Sequence, residues 1–219
     1  MFYDPEKALS KHNSTFANGI ARSLDLSRLA GELSEERSTL AIDISNSSVV
    51  MAVGSLDLLC KNIQRESLLS YLYGFLEPPE KVRKVVPLTV ARLVTDAARH
   101  PNKEPAFGSH HLLAASFLDR ELSRDNFQGI NNVATLFTSL GLGKLKNFMN
   151  KGEYADFSAA VTELTEFRHE IVHRTAVQFN PYQFPTVDDI SRRSVTPEAA
   201  NALKAGGEAL VNRVKAFIA

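Results

Sequence analysis

The chain has 219 residues, enough for one domain or for a domain with an extension. Apolar residues make up 44%, which supports a real core, and 25 basic against 25 acidic side chains leave no net charge, so any nucleic-acid contact has to rest on a local patch. A single cysteine, Cys60, excludes an internal disulfide and a cysteine-rich zinc site; set among apolar residues, it reads as a small buried hydrophobe.

The opening run Met1-Phe2-Tyr3-Asp4-Pro5-Glu6 lacks the charged-then-apolar pattern of an export signal. No apolar run approaches the ~18–20 residues that span a bilayer, so a soluble cytoplasmic protein with no membrane partner is expected. Phe16–Leu40 reads as one or two amphipathic helices. Val49, Val53, Leu56, Cys60 and Ile63 recur at steps of three and four, the mark of one buried helix face. That helix is expected to start well before Val49, run towards Tyr73 and stop at Glu77-Pro78-Pro79-Glu80. Val82–Val94 suggests a further helix with Pro87 early in it or bending it, and Pro101 and Pro105 bracket a loop. Shorter helices are expected over Leu112–Leu122, Ile130–Leu140 and Leu145–Met149, the last two separated by Gly141 and Gly143. Asp156–Thr175 and Pro197–Ile218 are strong helices, the second with Thr196 as N-cap and Pro197 in its first position. Between them, 176–195 is a long gap carrying Phe179, Tyr182, Phe184 and then Arg192-Arg193. No alternating strand of convincing length is present, so the fold class is all-α.

The helix over Asp156–Thr175 holds the most informative run, Arg168-His169-Glu170-Ile171-Val172-His173-Arg174. Read from His169 it is H-E-x-x-H, in which two histidines about 40° apart on a helix can share a zinc ion and the glutamate polarises a water. A catalytic zinc needs a third ligand. The longer zinc-protease pattern would place Gly at 176 and His at 179, where this chain has Ala176 and Phe179. A later Glu ligand could only be Glu198 or Glu208, with no motif around either. The metalloprotease is therefore the third reading, and no metal or other cofactor is expected.

With Leu164 at its centre, the core face of this helix takes Phe157, Ala160, Val161, Ile171 and Thr175, all within about 60°. Arg168 falls on that side and must be paired or reach out. His169 and His173 point the other way, along a stripe of Ala155, Ser158, Ala159, Thr162, Thr165 and Glu166. A stripe so small and so nearly uncharged is expected to pack, and a second copy of the same helix is the natural partner.

Read from Arg168, the segment Leu164–Arg174 resembles the active-site motif of HEPN ribonucleases, in which an Arg, a following polar residue and a closing His act without metal. Val49–Asp57 is similar to the first helix of the RiboL-PSP-HEPN branch, with Asp57 at its acidic position, and Asp125–Gly141 resembles its mid-domain segment. The resemblance runs from about Val49 to the C-terminus. It implies a HEPN-type helical bundle over 46–219, preceded by an N-terminal helical extension over 1–45. It also implies a metal-independent endoribonuclease with Arg168 and His173 catalytic, a homodimer with a composite active site, and a toxin or anti-phage defence role with an antitoxin protein as partner. RNA cleavage through its own 2′-OH needs a base, an acid and a cation for the phosphorane, which His and Arg supply. His169, Asp57 and Glu170 are expected to support the site, and Arg174, Arg192 and Arg193 to meet RNA phosphates.

Plainer readings stand beside these. His173 can be an ordinary hydrogen-bonded helix residue, Glu170 a partner for Arg174, Asp57 a structural carboxylate, and Arg192-Arg193 ordinary surface. A catalytically silent HEPN module binding a protein or a nucleotide is the second functional reading.

Overall fold

The computed structural model describes residues 3–33, 38–73, 75, 116, 118–120, 122–123, 125–145, 151, 153–177 and 194–218. The fold is all-α. The helices are α1 (Pro5–Leu33), α2 (Ser38–Leu72), α3 (Ile130–Ser139), α4 (Glu153–Val177) and α5 (Pro197–Ile218), and no strand occurs among the described residues. The expected helix over Val82–Val94, the loop around Pro101 and Pro105, and most of the 176–195 gap lie outside the described residues. So does most of the helix expected over Leu145–Met149.

Two helices start by the same device. The Asp4 carboxylate accepts from the Lys7 backbone N–H at 2.9 Å ahead of Pro5, and the Thr196 hydroxyl accepts from the Ala199 N–H at 3.1 Å ahead of Pro197. Each cap satisfies an otherwise orphaned helical donor, and each proline stands where no helical N–H is needed. The first helix therefore begins at Pro5, earlier than the expected Phe16.

Helix α1 packs on α2 and α5, and α4 packs on α5 and α2, which makes a four-helix layer around one core. Leu9, Phe16 and Ile20 of α1 share that core with Val49, Val53, Leu56, Cys60 and Ile63 of α2, Phe157, Val161 and Leu164 of α4, and Leu203, Leu210 and Val214 of α5. The 45/46 boundary falls inside α2, so α1 contributes to the same core as the residues after it. Adjacent glycines let α5 approach both neighbours: a Cβ on Gly206 would sit 2.2 Å from Phe157 Cδ2, and one on Gly207 2.3 Å from Phe16 Cε1. The penalty of glycine inside a helix is offset by the aromatic packing it allows.

Thr39–Tyr71 of α2 is long and apolar enough to cross a membrane by length and composition. Small residues such as Ser45, Ser48, Ser67 and Ser70 hide this in a search for an unbroken apolar run, because they are polar by type yet buried. In the folded chain the apolar face of α2 is spent on the bundle core.

The outer end of α2 is tied by a polar network. Glu66, nearly fully buried, accepts from the Tyr3 hydroxyl at 2.6 Å and from Arg65 Nε at 3.1 Å, and lies 3.1 Å from His12 Nε2. Arg65 also reaches Asp119 at 3.1 Å. Burial alone would push the Glu66 carboxyl up, but the hydrogen bonds from His12 and Tyr3 and the Arg65 charge together hold it below the usual carboxylate range.

Candidate functional site

Helix α4 sorts its residues as its sequence demands. Phe157, Val161 and Leu164 are buried, Ile171 packs against the core edge, and Arg168 is half-buried at the rim of the same face. His169, Glu170 and His173 are exposed, as are Ala159, Thr162 and Glu166 of the small-residue stripe. Ala155, Ser158 and Thr165 of that stripe are half-buried. Arg174 belongs to α4, but its side chain, like all of Arg192 and Arg193, lies outside the described residues.

The two histidines meet. Their ring centroids are 4.1 Å apart with planes at 62°, so the edge of one ring addresses the face of the other. The contact follows from the four-residue spacing, which sets the two side chains on one face of the helix. Among the described residues no group of three His, Cys, Asp or Glu side chains is placed to hold a metal ion. The H-E-x-x-H reading therefore finds no third ligand among them.

Arg168 and His173 are five residues apart, which on a helix is about 140° of rotation. One helix cannot aim both side chains at one small target unless both bend towards the ground between them. Thr165 occupies that middle ground, about 60° from Arg168 on one side and about 40° from His169 on the other. The Thr165 hydroxyl donates to the backbone carbonyl of Gln128, which brings the segment 125–129 against α4.

That segment is anchored on its other side by α2. Asp57 Oδ1 accepts from the Phe127 N–H at 2.7 Å, and Asp57 Oδ2 pairs with Lys61 at 2.9 Å. Gln64 Nε2 donates to Asp125 Oδ2 at 2.8 Å. Within the segment, Asn126 Oδ1 accepts from the Gln128 N–H at 3.0 Å, and Asn132 Nδ2 donates to the Asn126 carbonyl at 3.0 Å. Phe127 is buried and pins the turn, and α3 begins directly after Gly129. Asp57 is thus a support for the backbone beside α4, joined to it through Phe127, Gln128 and Thr165. The sequence singles out Asp57 but not its partner, and it places Thr165 on the stripe expected to meet a second copy, whereas the Thr165 hydroxyl is taken by the Gln128 carbonyl; Asn126, whose side chain closes an Asx turn onto the Gln128 N–H, is the local signal for this segment.

The opposite flank of α4 differs in charge. A groove of about 490 Å³ between α4 and α5 has Asp156, Glu163 and Glu198 on its walls and Ala159, Ala160 and Ala202 among its lining. Among the described residues its lining holds three carboxylates and no lysine or arginine, which disfavours a polyanion there. On the side of the 125–129 segment, Asp57 pairs with Lys61, while Asp125 accepts from the neutral amide of Gln64.

Comparison with protein-family models, curated proteins and solved structures gives no match. The reading of the site rests on its own residues and on the motif they spell.

Proposed function

We propose that this chain is a metal-independent endoribonuclease of HEPN type that works as a two-fold dimer, with Arg168 and His173 as its catalytic residues. The observation that carries the reading is the arrangement on α4. A half-buried arginine and an exposed histidine flank one strip of helix, and a small, exposed surface of Ala159 and Thr162 lies beside the histidines. Small residues allow close helix approach, and a two-fold interface through them brings two copies of the motif into one cleft.

The chemistry follows from the side chains. One imidazole removes the proton of a ribose 2′-OH, and the 2′-oxygen attacks the adjacent phosphorus. The bond from phosphorus to the 5′-oxygen breaks, and the imidazolium so formed returns its proton to that leaving oxygen. Arg168 stabilises the charge that gathers on the non-bridging oxygens. The products are a 2′,3′-cyclic phosphate and a 5′-hydroxyl. His169 meets His173 in the ring contact. A role as a toxin or anti-phage effector held by an antitoxin is the biological setting that the motif's family suggests.

Incubation of the purified protein with mixed cellular RNA, with and without EDTA, tests the reading. Cleavage unaffected by chelation, with cyclic phosphate ends, is expected. Chelator-sensitive cleavage, 5′-phosphate ends or intact RNA would overturn it.

A further inference from the structure

We propose that the cavity between α1 and α2 binds a small organic monocarboxylate, with an apolar body and a polar group at the end away from its charge. The inference stands apart from the ribonuclease reading, since none of the described residues that line the cavity belongs to α4. The cavity holds about 320 Å³, near the lower end of the range for small-molecule sites. His12, Asn18, Arg22 and Asn62 form its polar wall, and Phe16, Met51, Leu58 and Leu59 its apolar one. The seam between two packed helices is normally apolar. Polar residues along this one break the local packing rule, as residues of a binding site do.

The polar wall is unengaged. Arg22, Asn18 and Asn62 make no side-chain hydrogen bond or ion pair among the described residues, and the nearest acid along α1, Asp25, pairs with Arg28 at 3.6 Å. His12 is held through one ring nitrogen: its Nε2 lies 3.1 Å from Glu66 Oε1 and 3.0 Å from Arg65 Nη2. Nδ1 is left without a protein partner among the described residues. The Thr15 and Ser55 hydroxyls donate to the Lys11 and Met51 carbonyls at 3.1 Å and 2.8 Å, so each oxygen keeps acceptor capacity.

The order of these groups along the seam sets the ligand's chemistry. Gly19 lets α1 close on α2, since a Cβ there would fall 2.3 Å from Ser55 Oγ. The antiparallel pairing through that point brings Asn62 level with His12, and Met51 level with Arg22. Arg22 and Asn18, one turn apart, stand at one end; His12 is ten residues before Arg22, about 15 Å along the axis. Arg22 is the one permanent cation among the described lining residues, and no carboxylate lies beside it. It balances a single negative charge, and its planar fork matches a carboxylate. The Asn18 amide supplies a further donor. Phe16, Leu58 and Leu59 line the middle, where an apolar body covers the exposed Leu58. His12 and Asn62 then meet a polar group at the far end.

The test titrates the full chain by calorimetry with 3-(4-hydroxyphenyl)propanoate, with 6-hydroxyhexanoate, with the primary amide of each and with phenyl phosphate. At least one carboxylate is expected to bind about tenfold more tightly than its amide, the scale of one charge-assisted pair. Arg22→Gln is expected to erase that difference and to leave the melting temperature of the free protein unchanged, because Arg22 is exposed. Thr15→Phe, at an exposed position on the cavity wall, is expected to fill the cavity and abolish binding of the carboxylates. No binding by the wild type, equal binding of acid and amide, or a preference that survives Arg22→Gln or Thr15→Phe overturns the assignment. Tighter binding of phenyl phosphate than of either carboxylate overturns it as well.

Discussion

The Asp57 carboxylate on α2 holds the backbone N–H of Phe127 at 2.7 Å, across 70 residues of sequence. Its second oxygen is taken by Lys61 at 2.9 Å, so the charge is balanced where it sits. Through Phe127 and Gln128 this one carboxylate links α2 to Thr165 on α4. Asp57→Ala leaves a sheltered N–H without its acceptor, which costs about 1–3 kcal/mol. Urea unfolding is expected to show that loss, and RNA cleavage to fall with it. Asp57→Asn keeps an acceptor for Phe127 and is expected to recover most of the stability. Equal losses in the two variants would assign the effect to the Lys61 pair instead.

Gly206 on α5 and Gly54 on α2 give predictions of opposite sign. Gly206→Ala places a methyl against the Phe157 ring, with no room at 2.2 Å, and is expected to destabilise by about 1–3 kcal/mol. Gly54→Ala on α2 meets nothing within 4 Å and is expected to stabilise by about 1 kcal/mol through helix propensity. Thermal or urea unfolding of both variants checks the pair. A stabilising Gly206→Ala would contradict the close approach of α5 and α4.

Glu66 predicts an acid limb. Its folded-state carboxyl lies below the usual range, so the unfolded chain takes up a proton first as pH falls. The stability it supplies is fully present above the ordinary glutamate value of ~4.3 and is lost as pH drops through the folded value beneath it. Glu66→Gln is expected to be less stable than the wild type near pH 7, with the gap closing as pH falls below about 4. Melting temperatures across that range measure it. A gap that widens on acidification would contradict the direction of the shift.

Much of the helical frame can be read directly from the sequence, since its signals are local. The three-and-four spacing from Val49 to Ile63 places the buried face of α2, and Thr196-Pro197 marks the start of α5. Asp4-Pro5 carries the same start signal, but the wide spacing of Leu9, Phe16 and Ile20 gives a weak periodic pattern behind it. The site divides in the same way. Arg168, His169 and His173 are neighbours on one helix, so their relation follows from helical geometry alone. The bonds of Asp57 to Phe127 and of Thr165 to Gln128 join residues brought together only by the packing of α2 against α4. No sequence interval encodes them.

The exposed stripe on α4 predicts an interface. Ala159 is exposed and its side chain adds no charge, so Ala159→Arg is expected to leave the subunit folded and split the proposed dimer. Sedimentation should shift to the monomer, and cleavage should vanish with it. An Ala159→Arg variant that is monomeric and fully active would show that one chain suffices.

Mixing Arg168→Ala chains with His173→Ala chains asks most directly whether the two residues work together across a dimer. Each variant alone is expected to be inactive on RNA. His173→Ala should keep its melting temperature because His173 is exposed, whereas half-buried Arg168 should lose some packing on truncation. After subunit exchange, a mixed dimer joins the intact histidine of one chain to the intact arginine of the other. A measurable fraction of wild-type cleavage, insensitive to EDTA, is the result expected. No recovery in mixed dimers shown to have formed, or cleavage by either variant alone, would contradict a composite Arg168–His173 site.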